Sequence, residues 1–104
     1  AAGQVVTTAA SDTIADGMAT RIPDPDALAM ILKGAARILT VSDKEIADAV
    51  RIYYSDTHNL AEGAGAAALA ALLQERERQQ GRRVGVILSG GNIDLSLYLK
   101  LLQG

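Results

Sequence analysis

The stretch VGVILSGGN, residues 84–92, decides how the rest of the chain is read. Residues 84–88 are apolar without alternation, the pattern of a parallel strand covered on both faces. The chain then breaks into Ser89-Gly90-Gly91-Asn92, a loop of small and polar residues. In open α/β sheets, ligands bind just beyond the carboxyl ends of strands, and this loop falls there. Gly90 and Gly91 let backbone approach a ligand closely and permit unusual dihedrals. Ser89 and Asn92 offer short hydrogen-bonding groups. The competing reading is a plain strand-to-helix turn with Asn92 capping the next helix, and spacing alone leaves both open. The loop is not a phosphate-binding P-loop, because no lysine follows and the spacing is wrong, and it is not a dinucleotide fingerprint.

Downstream, residues 93–102 predict a closing helix with Leu95, Tyr98, Leu99 and Leu102 on one side. Upstream, EGAGAAALAALL (residues 62–73) opens a helix whose first half is almost all small residues. Its charged second half is expected to end at Gly81, a left-handed stop. Glu62 sits where an acid gains from the helix dipole. That charge and close helix packing explain the segment structurally; the functional alternative is that its glycines let a flat ligand lie against backbone.

Ser42-Asp43-Lys44-Glu45 fits the capping box, so a helix starts near Asp43. Ile46, Val50, Tyr53 and Tyr54 make its buried stripe, and it frays around residues 57–59. Residues 37–41 are a second short strand candidate. Asp24-Pro25 starts a helix that runs to about Ala36, with Leu28, Ile31, Leu32 and Ala35 on one face. Residues 4–9 are mildly β-prone, and residues 11–19 predict an extended segment bending at Gly17.

Helices alternating with short buried strands predict an α/β fold: a partial parallel-sheet layer with helices on both faces. Two good strands and one weaker one are too few for a complete sheet. The chain therefore reads as part of an α/β domain, and a start at Ala1-Ala2-Gly3 without an initiator Met points the same way.

Composition narrows the function classes. The chain has 104 residues, 49% of them hydrophobic, with no Phe, no Trp and three Tyr, so its core is aliphatic. Net charge is −2 and the densest charges, Glu75-Arg76-Glu77-Arg78, alternate in sign, which gives no support to nucleic-acid binding. There is no cysteine, which excludes disulfides and thiolate metal sites. No apolar run approaches membrane-spanning length. A soluble, cytoplasmic protein without a membrane or nucleic-acid partner is the expectation. Asp24 and Asp26 read as helix caps rather than a metal pair, Asp12 and Asp16 are ambiguous, and His58 stands alone at a helix end. Lys33, Lys44 and Lys100 lie on predicted helices with no signature around them. No metal site is predicted.

Four motifs stand in one order: TIADGMA (residues 13–19), ILTVSDKEI (38–46), EGAGAAALAAL (62–72) and VGVILSGGNID (84–94). Together they resemble the C-terminal third of the threonine/serine dehydratase and serine racemase family, pyridoxal 5′-phosphate (PLP) enzymes of fold type II. The resemblance implies that residues 1–104 are the C-terminal segment of the large, PLP-binding domain. It implies an ammonia-lyase that removes water from a hydroxy amino acid to give a 2-oxo acid and ammonia. A serine racemase or hydroxyaspartate dehydratase of the same family is the alternative; a non-catalytic α/β interaction module is another.

By motif, Ser89 would bond the pyridine nitrogen of PLP, and Gly90, Gly91 and Asn92 would wall the ring edge. Gly17 matches a glycine whose backbone lies near the cofactor, and Glu62 matches an acid near the ring. Where the family has proline after that glutamate, this chain has Gly63, which is expected to loosen the helix start. The Schiff-base lysine and the phosphate loop have no counterpart here, so no catalytic residue is assigned. The implied partners are a small amino-acid substrate, the remainder of the same enzyme, and further copies in a homo-oligomer.

Overall fold

The computed structural model describes residues 3–104; the first two residues of the expected 1–104 segment lie outside the described residues. Among the described residues the regular elements are α1 (Pro25–Gly34), α2 (Asp43–Thr57), α3 (Gly63–Gln74) and α4 (Leu95–Leu102), preceded by one 3-10 turn at Asp16–Met18. That turn replaces the extended bend expected at Gly17.

The helix starts are written locally. α1 opens at Pro25, whose missing N–H costs nothing in a first turn, and the Ala27 amide donates to Asp24 Oδ2 at 3.0 Å. α2 carries a complete capping box. The Glu45 amide donates to Ser42 Oγ at 3.1 Å, and the Ser42 amide donates to Glu45 Oε1 at 2.9 Å. It stops at His58, which takes a left-handed φ of 58° and turns its N–H back to the Tyr53 and Tyr54 carbonyls. α3 ends at Gln74, earlier than expected. Residues 75–80 continue only as turns, and Gly81, with φ of 79°, closes that stretch.

α2 and α3 pack on each other, α4 packs on α2, and the 3-10 turn packs on α3. The core is aliphatic, as composition requires. Ala49, Ala66 and Ala70 are fully buried beside Ile46 and Val50, and alanine at these positions lets the helix backbones approach closely. The predicted stripe of α2 needs one correction: Tyr54 is 52% exposed and meets Tyr98 edge-on, ring centroids 6.5 Å apart. On α4 the buried residues are Tyr98 and Leu101, while Leu95 and Leu99 stay exposed. α1 is amphipathic yet buries no residue.

The parallel sheet does not form within this chain. Neither residues 37–41 nor residues 84–88 make a strand, nor do residues 4–9, and no strand occurs among the described residues. Among the described residues no backbone–backbone hydrogen bond links 37–41 or 84–88 to anything else. Both segments lie over one flank of α3. Leu39, Val84 and Val86 line a groove of about 140 Å³ against Ala68, Ala71 and Leu72. The physical reason is pairing: a strand exists only by hydrogen-bonding to a neighbour, and neither segment has one. The result is a slab, 39 × 37 × 18 Å, with apolar segments open on one side. No helix among the described residues is long and apolar enough to cross a membrane.

Candidate functional site

The first turn of α3 is where distant segments converge. Glu62 is its N-cap, followed by Gly63, Ala64 and Gly65. A methyl group on Gly65 would lie 2.3 Å from the Gly90 carbonyl oxygen, and one on Gly63 would lie 2.6 Å from that of Ile14. Side-chain carbons do not come this close to backbone, so the turn must be bare for both segments to seat on it. The Glu62 amide donates to the Gly90 carbonyl at 3.1 Å. A methyl on Gly91 would strike the Leu60 carbonyl oxygen at 2.4 Å, so residues 60–62 run beside residues 90–91. Gly90 and Gly91 take no positive φ. Their value here is the absent side chain, not the unusual dihedral the sequence also allowed.

The Glu62 carboxylate stands between two of the predicted glycines. A methyl on Gly90 would lie 2.6 Å from Oε1, and one on Gly17 would lie 3.5 Å from Oε2. Glu62 is half-buried and its side chain does not cap α3. Gly17, Glu62, Gly90 and Gly91 are therefore brought into one cluster. Asn92 and Glu62 share a polar cleft of about 160 Å³ with Asp16 and Asp94. Ser89 is exposed, one residue ahead of Gly90, and does not line that cleft. Asp94 is the N-cap of α4, so Asn92 does not serve the capping role of the plain-turn reading.

Gly63 is not loose. It is buried, and Ile14 and Ala15 lie so close that a side-chain carbon there would clash with their backbone. Gly65 was missed as a site-forming residue, although the spacing Gly63-Ala64-Gly65-Ala66 carried the signal. The link from Thr13 to Asp43 was also missed; it joins two of the four motifs and has no local sequence signature.

Of the two aspartates read as helix caps, one takes that role and Asp26 lies within the first turn of α1. Asp24 caps α1, and His58 is exposed at the end of α2. Lys44 pairs with Asp48 at 3.0 Å, and Lys33 and Lys100 are exposed. A cleft of about 460 Å³ between α2 and α3 is lined by Glu45, Asp48, Arg51, Gln74 and Arg76 among others, and by none of the predicted site residues. Its acids are tied up structurally. The Ser42 amide and Gln74 hold the Glu45 carboxyl below its ordinary value, and Lys44, then Arg51, do the same for Asp48. Among the described residues no group of acids and histidines is arranged to hold a metal ion.

The sequence pattern of the family described as "Pyridoxal-phosphate dependent enzyme" matches residues 1–90. An L-threo-3-hydroxyaspartate ammonia-lyase from a Pseudomonas species is 35% identical over 102 residues, covering 98% of this chain and 32% of that protein. A serine racemase from Schizosaccharomyces pombe is 33% identical over 101 residues, covering 97% of this chain and 31% of that protein. The solved structure of a threonine deaminase from T.th. superposes with a TM-score of 0.82 at 32% identity, covering 90% of this chain and 32% of that one. The chain spans about a third of the length of these relatives.

Proposed function

Because the chain belongs to the pyridoxal-phosphate dependent enzymes, we propose that it is the C-terminal segment of the large domain of a threonine/serine ammonia-lyase. In this reading it forms the wall along one edge of PLP. The observation that carries the reading is the convergence of Gly17, Glu62 and Gly90 on the first turn of α3. Bare backbone beside a carboxylate that does not cap its helix, with an exposed hydroxyl one residue away, suits the edge of a flat, nitrogen-bearing ring.

The cofactor, when bound, supplies the electron sink for loss of water from a hydroxy amino acid, leaving a 2-oxo acid and ammonia. The residues here would hold and tune. Ser89 would donate its hydroxyl proton to the pyridine nitrogen. A neutral hydroxyl cannot hold that nitrogen protonated as a carboxylate would, so the ring stays a milder sink. Gly90, Gly91 and Asn92 would shape the wall, with Gly17 closing it from the side and Glu62 set between them. Residues 37–41 and 84–88 would become strands of a parallel sheet once the remainder of the enzyme pairs with them. The resemblance to serine racemase keeps racemisation as a second reading.

The test uses the full-length protein that carries this segment, loaded with PLP. It is assayed with L-threonine, L-serine and 3-hydroxyaspartate for 2-oxo acid, with chiral analysis of recovered amino acid. Elimination supports the reading and inversion without elimination supports the second. A protein that takes up no PLP overturns both.

A further inference from the structure

We propose that Thr13 and Asp43 form a clasp that fixes Gly17 against Glu62, making Asp43 a positioning residue for the wall assigned to the cofactor. The proposal rests on the functional reading above. Asp43 is the first residue of α2, yet its carboxylate reaches to the segment ahead of the 3-10 turn. Oδ1 accepts from the Thr13 hydroxyl, and Oδ2 accepts from the Ile14 amide at 3.4 Å. Thr13 Oγ1 in turn accepts from the Ala15 amide at 3.2 Å. The start of α2 already has a complete capping box from Ser42 and Glu45, so Asp43 is not needed as its cap.

The same segment is held from the other side by α3. A methyl on Gly63 would lie 2.6 Å from the Ile14 carbonyl oxygen and 2.9 Å from the Ala15 Cα, and Ala15 is buried. Residues 13–15 are thus gripped between two helix starts just before the chain turns at Asp16–Met18. A methyl on Gly17 would then lie 3.0 Å from Ala64 Cβ and 3.5 Å from Glu62 Oε2. Releasing the clasp frees the segment that brings Gly17 beside the Glu62 carboxylate.

The experiment compares Thr13→Val, Thr13→Ser and Asp43→Ala in the full-length protein. Thr13→Val is the cleaner variant, because it keeps side-chain shape and lies outside the helices. Three quantities are read: PLP affinity by titration, fluorescence of the bound cofactor, and hydrogen exchange of the amides of residues 14–18. Thr13→Val and Asp43→Ala should each weaken PLP binding by about fivefold, the scale of one hydrogen bond to a charged group at a partly exposed site. Each should shift the fluorescence and speed exchange. Thr13→Ser should retain the parent's values, and Thr13→Val with Asp43→Ala should be no worse than either alone. A folded Thr13→Val protein with the parent's affinity, fluorescence and exchange overturns the proposal, as do additive effects of the two substitutions. If the parent protein takes up no PLP, the functional reading fails, while the exchange comparison still decides whether the clasp holds the segment.

Discussion

Ser89 is the residue on which the proposed chemistry turns, because hydroxyl and carboxylate set opposite protonation states on a pyridine nitrogen. In the full-length enzyme, Ser89→Ala removes one neutral hydrogen bond, worth roughly 1–3 kcal/mol if its partner is left unsatisfied at a buried site. PLP affinity should fall and elimination should slow. Ser89→Asp should favour a protonated ring and move product from 2-oxo acid toward inverted or transaminated amino acid. The measurement is that product ratio at matched PLP saturation; an unchanged ratio, rate and affinity in both variants would take Ser89 away from the ring. The neighbouring glycines separate differently. A methyl on Gly65 meets the Gly90 carbonyl at 2.3 Å, which is backbone and cannot swing aside. A methyl on Gly90 meets Glu62 Oε1 at 2.6 Å, the end of a flexible side chain. Gly65→Ala should therefore destabilise by about 1–3 kcal/mol in urea unfolding, the usual range for overpacking. Gly90→Ala should cost little stability but displace Glu62. Equal costs would mean that the loop does not seat on the α3 turn.

At the scale of elements, what could be read from sequence was what short-range chemistry decides. Asp24-Pro25 and Ser42 with Glu45 place two helix starts, since a cap is satisfied within four residues. Residues 37–41 and 84–88 look as much like strands in sequence, yet a strand is defined by a partner that sequence-local reasoning cannot supply. The same divide runs through the site. The loop 89–92 was legible from its break in hydrophobicity, while its contact with Gly65 joins parts of the chain that only packing brings together. The capping box gives a test with a sign. Ser42→Ala should cost about 1 kcal/mol of helix stability. The Glu45 carboxyl is held below its ordinary 4.5, first by the Ser42 amide and then by Gln74, and Glu75 is lowered chiefly by Arg37. A depressed folded value means stability is fully present above about pH 4.5 and is lost as pH falls through the lowered values. Acid unfolding monitored by circular dichroism should therefore show a shallower loss in Glu45→Gln than in the parent. An identical acid limb in both would mean that the box is not formed in solution.

The whole molecule is a thin slab with too little to cover it. Met30 on α1 is 73% exposed, Ile38 69%, Ile87 79% and Leu95 70%, and the last two flank the loop 89–92. Backbone at 37–41 and 84–88 without a strand partner adds open hydrogen-bonding groups to that apolar surface. Apolar patches and free edges of this kind drive association with other chains. The 104-residue chain expressed alone should therefore self-associate, and sedimentation at increasing concentration should show it; a strict monomer across a wide range would mean the surface is covered in some way the fold does not reveal. The same chain should not catalyse. Its lysines are exposed on helices or paired with Asp48, none lines the cleft beside Glu62, and no glycine-rich phosphate cup accompanies them. Ring-edge contacts without covalent attachment or phosphate anchoring should hold PLP poorly. Incubation with PLP and L-threonine should therefore yield no more 2-oxobutanoate than free PLP does. Turnover that depends on this chain alone would place a catalytic lysine within these residues and overturn the assignment of the chemistry to the rest of the enzyme.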